Sequence, residues 1–226
     1  MMLDIRNKKV AFIVCDVIYD EVRKKIPSNW KVLSLEKKLH ERSDELRERL
    51  QKEIDEHQGY GLIILGYALC GKGTDGLISE NTYLVVSKCD DCIAMLLGSS
   101  EEYRRQHRLE PGTYYLTRGY IGDSDDFEVG GFSRIRDKYD DRTWEWIRKQ
   151  MLKNYKRLVF INTGNYDSAC LRQKARKEAE KLGLGFEEIK GTNEYFQKML
   201  IGEFDRDFLV LKPGQKVSSD MFLNRN

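Results

Sequence analysis

The chain has 226 residues, 40% hydrophobic and 34% charged, with 39 basic against 37 acidic side chains for a formal net charge of +2. That length suits one sizeable domain or two lobes sharing a core, and so even a charge balance gives no attraction to a polyanion, which argues against nucleic acid as a partner. The longest apolar run, Val10 to Cys15, falls far short of the ~20 residues of a membrane helix, and Met1 to Arg6 lack the apolar stretch of a signal peptide. The expected location is therefore cytoplasmic, with no membrane partner, and five cysteines in a reducing compartment serve as thiols, metal ligands or catalytic groups.

In chain order, Lys9 to Cys15 reads as a buried strand, and Asp16 opens a charged amphipathic segment that Pro27 closes. Lys31 to Leu35 is a short second strand, with His40 in the loop behind it. Ser43, Asp44 and Glu45 mark a helix start, and Leu46, Leu50 and Ile54 recur at helical spacing. Gly61 to Gly66 is a strand apolar at four consecutive positions, which breaks into the turn Cys70-Gly71-Lys72-Gly73. A fourth strand, Tyr83 to Ser87, leads to Asp90 and Asp91, which can cap a helix begun by Cys92. In a helix's first turn the dipole and free amides favour thiolate.

Beyond Glu110 the pattern loosens. Thr113 to Thr117 is a candidate edge strand, and the acidic, glycine-bearing stretch Gly122 to Gly131 reads as a connection or flap. A helix through Trp144, Ile147, Met151 and Leu152 follows, then the strand Arg157 to Asn162. Next come a helix carrying Leu171, Ala175, Ala179 and Leu182 inward, the strand Gly185 to Ile189, a helix Asn193 to Ile201 and the strand Phe208 to Leu211. Pro213 and Gly214 end the regular structure. The alternation predicts an α/β fold of mainly parallel, Rossmann-like sheets with helices on both faces, in two lobes: 1–110, an irregular connection 111–140, and 141–226.

Cys15, Cys70 and Cys92 fall at equivalent places, each at or just past the end of a strand. In a parallel sheet such positions emerge on one edge, where α/β proteins bind ligands. Three converging thiolates suit zinc or iron. A four-iron cluster on three cysteines leaves one iron open to substrate, and zinc leaves a fourth position for His40, water or substrate. Cys89 makes a C-x2-C pair with Cys92, a weak signal by itself. Unpaired cysteines are also common small core residues, and Cys15 and Cys170 read that way as well. His57 and His107 read as surface or capping residues. The glycine turn has a second reading, with Gly71 and Gly73 letting backbone approach a bound group and Lys72 attracting an anion. It matches neither the P-loop nor the G-x-G-x-x-G spacing.

Five blocks together, Gly66 to Gly73, Asp90 to Ser99, Pro111 to Thr117, Phe160 to Gly164 and Phe208 to Gly214, resemble the uncharacterised "domain of unknown function 1638" family of anaerobic bacteria and archaea. The resemblance implies anaerobic one-carbon metabolism beside corrinoid-dependent methyltransferases. It places the family's cysteine and histidine positions at Cys15, His40, Cys70 and Cys92, leaving out Cys89 and Cys170. The expectation is a cytosolic metalloprotein with Cys15, Cys70 and Cys92 on a 4Fe-4S cluster or zinc. His40 would be its fourth ligand or proton donor, Lys72 would attract an anionic substrate, and a small thiol, sulfur or one-carbon group would be acted on. Two rivals stand beside it: a metal-free cysteine nucleophile assisted by His40, and a non-catalytic accessory protein of a corrinoid methyltransferase.

Overall fold

The computed structural model describes residues 5, 7–122, 136 and 138–223. Eight strands run through them: β1 (Val10–Cys15), β2 (Lys31–Leu35), β3 (Leu62–Gly66), β4 (Leu84–Ser87), β5 (Thr113–Leu116), β6 (Arg157–Asn162), β7 (Gly185–Lys190) and β8 (Phe208–Leu211). The fold is α/β, with mainly parallel, Rossmann-like sheets flanked by helices. The strands form a five-stranded sheet in the order β2-β1-β3-β4-β8 and a three-stranded sheet in the order β5-β6-β7. Every pairing is parallel except β4 with β8.

Burial follows position in the sheet. The interior strands β1, β3 and β4 are buried at every residue, which is why their sequences are unbroken apolar runs. Each fully buried Val, Leu or Ile contributes about 1.5–3 kcal/mol. The edge strands β2 and β7 are mostly exposed or half-buried. Helix α1 (Asp16–Val22) follows β1 directly, and α2 (Ser43–Glu56) buries Leu46, Leu50 and Ile54, as its spacing predicts.

Between β3 and β4 the chain crosses over without a helix, and α2 holds that segment in place. Gln51 donates to the Ile78 carbonyl at 2.8 Å and accepts from the Ile78 amide at 3.0 Å. Gln58 accepts from the Asn81 amide at 2.8 Å. These bonds satisfy backbone groups that an irregular crossover leaves open.

The chain divides into two compact units, Arg104–Gly191 and the remainder on either side of it. This differs from a C-terminal half spanning 141–226. Residues from Thr192 onward return to the first unit, because β8 pairs with β4 in the register Leu84↔Leu211 to Ser87↔Phe208 and so covers an otherwise open edge of buried strand. Pro213-Gly214 is also not the end of regular structure, since a short helix, Asp220–Leu223, follows. Within the connection expected over 111–140, β5 is an edge strand and Arg118–Ile121 is a helical turn. The acidic stretch expected as a flap lies outside the described residues from 123 on.

The second unit has its own core, in which Leu116, Leu158, Phe160, Leu171, Ala175 and Ala179 are buried together. Cys170 sits one position before Leu171 yet is exposed, so it is not the small core residue that an amphipathic helix suggested. A single step around a helix turns a side chain by about 100°.

Candidate metal centre

β1 pairs with β2 on one side and β3 on the other, so the carboxyl ends of β1 and β3 flank the point where strand order reverses. Cys15 is the last residue of β1. The β3 and β4 ladder continues past both strand ends through irregular backbone: Ser87 N to Tyr67 O at 3.2 Å, Leu69 N to Cys89 O at 3.0 Å and Cys70 N to Asp90 O at 2.9 Å. Those bonds carry Cys70 alongside the segment that enters α3 (Cys92–Leu97). Cys15, Cys70 and Cys92 are all buried and not joined in disulfides. Cys92 and Cys70 act electrostatically on Cys15, and Cys92 acts on Cys70. The structure thus brings the three strand-end thiols to one edge of the first unit. Among the described residues, no three His, Cys, Asp or Glu side chains stand as a preformed ligand set for a metal ion.

The turn at Cys70 is left-handed. Cys70, Gly71 and Lys72 have φ of 47°, 62° and 71°, and the turn closes through Gly73 N to Cys70 O at 3.0 Å. Two non-glycine residues in this region cost about 1–2 kcal/mol each. Leu69 and Cys70 held by the 89–90 backbone, and Thr74 Oγ1 donating to Ala68 O at 3.0 Å, keep the turn in place. Gly71 is there for its φ, since a Cβ at this position meets nothing within 4 Å. Gly73 is there for packing: its Cβ would lie 2.5 Å from Leu46 Cδ2 of α2. Neither glycine needs a bound group to explain it. No helix follows the turn, which removes the helix N-terminus that a phosphate loop uses. Lys72 is exposed while Cys70 beside it is buried.

Around Cys92 the expected cap is present. Asp91 accepts from the Ile93 amide at 2.9 Å and the Ala94 amide at 3.3 Å. Those amides are consequently unavailable to a thiolate, and six residues make too short a helix for a strong dipole. Cys89 is also buried, and its thiol donates to the Asp91 carbonyl at 3.5 Å.

His40 lies in a 3-10 turn, Lys37–Glu41, and not in open loop. Its Nδ1 is 3.1 Å from the Lys37 carbonyl. A carbonyl only accepts, so in the neutral ring Nδ1 carries the proton and Nε2 keeps its lone pair. Burial lowers the His40 pKa and so favours that neutral form, with the Lys37 carbonyl opposing. Nε2 is buried and has no hydrogen-bond partner among the described residues. In that tautomer Nε2 can serve as a ligand or an acceptor.

One residue at this edge was not foreseen. Tyr67, the first residue past β3, is 0% exposed, stacks on His40 at 5.6 Å between ring centroids with an 18° interplanar angle, and interacts electrostatically with Cys15, Cys70, Asp16 and Cys92. A polar-tipped aromatic between a strand end and a cysteine turn is the only signal in the sequence.

Burial pushes the Cys15 and Cys70 thiols well above their ordinary 9.0, and Cys92 raises both further. A group with a raised folded pKa keeps its proton after the unfolded chain has lost it, so its stabilising contribution is complete below 9.0 and lost as pH rises beyond it. The ion-free chain should therefore lose stability above pH 9.0 at up to about 1.4 kcal/mol per pH unit for each thiol. Urea unfolding across alkaline pH measures this, and a Cys15→Ala, Cys70→Ala variant should show a shallower dependence.

A family model described as "Protein of unknown function (DUF1638)" matches residues 34–200, a span that contains His40, Cys70 and Cys92 and begins after Cys15. Neither a curated protein nor a solved structure matches the chain.

Proposed function

We propose that this chain, which belongs to the DUF1638 family of proteins of unknown function, is a metalloprotein in which Cys15, Cys70 and Cys92 hold zinc or an iron–sulfur cluster and leave one coordination position for a small thiol, sulfur or one-carbon group. The observation that carries the reading is the meeting of three buried thiols from the ends of three adjacent parallel strands.

Electrostatics favour this over the metal-free nucleophile. Burial that raises the pKa of Cys15 and Cys70 makes these two thiols poor nucleophiles at neutral pH, whereas a bound cation inverts that balance and holds thiols as thiolates. His40 fits as well, because ligating histidines commonly donate their other ring N–H to a backbone carbonyl, as Nδ1 does to Lys37. A thiol entering at the fourth position would displace Nε2, whose freed lone pair would then take the thiol's proton. Lys72, exposed on the turn, meets an anionic substrate from solvent. The corrinoid-linked one-carbon setting implied by the resemblance belongs to the same proposal. Elemental analysis of anaerobically purified protein tests it: about one zinc per chain, or iron with sulfide and a brown chromophore, is expected. A folded, colourless, metal-free chain overturns it.

A further inference from the structure

The hydroxyl of Tyr67 is one of the buried polar groups of the first unit without a hydrogen-bond partner among the described residues. The side chain is 0% exposed, yet its oxygen has no hydrogen-bond partner among the described residues, with thiols counted as possible partners. A buried hydroxyl left without a partner is costly, and such a group persists when something outside the chain satisfies it. After burial itself, the groups that act electrostatically on it are Cys15, Cys70, Asp16 and Cys92, and its ring stacks on His40. A stacked ring just past β3 thus holds an unused donor at the sheet edge where the strands bring Cys15, Cys70 and Cys92.

We infer that Tyr67 is a binding residue of this site, its hydroxyl donating a hydrogen bond to the sulfur of a small exogenous thiolate held among Cys15, Cys70 and Cys92. The inference rests on the metal reading above and names the class of its ligand. The donor supply argues for sulfur over an oxyanion. The nearby amides of Ile93 and Ala94 are already taken by Asp91, and His40 Nε2 in the neutral ring accepts but cannot donate. The buried hydroxyls without a partner on these two neighbouring strand ends, among the described residues, are those of Tyr67 and Ser87, so a phosphate or carboxylate would bury several acceptor lone pairs against two neutral donors, whereas a sulfur anion is soft, weakly hydrated and content with one.

Two measurements on wild-type and Tyr67→Phe protein test this. In the ion-free chains the variant should melt about 2–4 °C higher, because it removes an unsatisfied buried hydroxyl; a lower melting temperature means the fold already satisfies the hydroxyl and overturns the inference. After loading with cobalt(II), which reports sulfur ligation by its charge-transfer absorption, both proteins should take up the same equivalents. Titration with 2-mercaptoethanol should then show affinity weaker by about tenfold or more in the variant. Equal thiol affinities in the two cobalt-loaded proteins overturn the inference and leave the metal reading standing. Failure of the wild type to take up cobalt overturns both.

Discussion

Replacing any one of Cys15, Cys70 or Cys92 with serine should strip the purified protein of its metal, while Cys89→Ser and Cys170→Ser should retain it. Structural zinc in small peptides is bound by roughly 10–16 kcal/mol shared among four ligands, so each thiolate accounts for several kcal/mol and its loss lowers affinity by about a hundredfold or more. The pattern across the five variants matters more than any one of them. Cys89 is as buried as the other three, so a generic effect of mutating a core thiol would remove metal from Cys89→Ser too. Retention there separates ligation from packing. Cys170, exposed in the other unit, serves as the control for surface oxidation.

The second large effect lies far from the thiols in sequence. Arg148 is 5% exposed and Glu178 2%, and they meet at 3.1 Å between the helices Asp141–Leu152 and Ala169–Leu182. Removing one member of a buried pair leaves the other charge uncompensated, at a cost of about 3–5 kcal/mol. Arg148→Met should fall toward the lower end, since Lys181, largely exposed, still reaches Glu178 at 3.4 Å. The melting temperature should drop by roughly 10 °C, and metal content should stay unchanged, because the thiols belong to the other unit. Arg148→Met combined with Glu178→Leu should recover most of the loss, since a well-packed apolar pair often matches a buried ion pair. Thermal denaturation of the three proteins measures both outcomes.

Some of this was readable from the chain. β1, β3 and β4 announce themselves because interior parallel strands must be apolar at every residue, and their parallel order alone brings Cys15, Cys70 and Cys92 to one edge. The caps at Asp91 and Gly183 are local and equally plain. The return of β8 to the first sheet was not readable. Phe208 to Leu211 is as apolar as a parallel strand, and only the partner it finds, far away in sequence, decides its direction and its unit. The glycine turn misled for a related reason. Gly73 is small because Leu46 packs against it, a contact between α2 and a turn 27 residues later that no spacing rule contains. Tyr67 was passed over because an aromatic residue beside a strand reads as core. Its hydroxyl has no hydrogen-bond partner among the described residues, which only the packed structure can reveal.

The central claim is that three protein sulfurs surround one metal site, and X-ray absorption at the metal edge of the anaerobically purified protein counts them directly. The account predicts, for zinc, about three sulfur neighbours near 2.3 Å with one lighter neighbour, and one sulfur fewer when Cys70 is replaced with serine. A first shell of nitrogen and oxygen alone, or a sulfur count unchanged in each of the three serine variants, would contradict it.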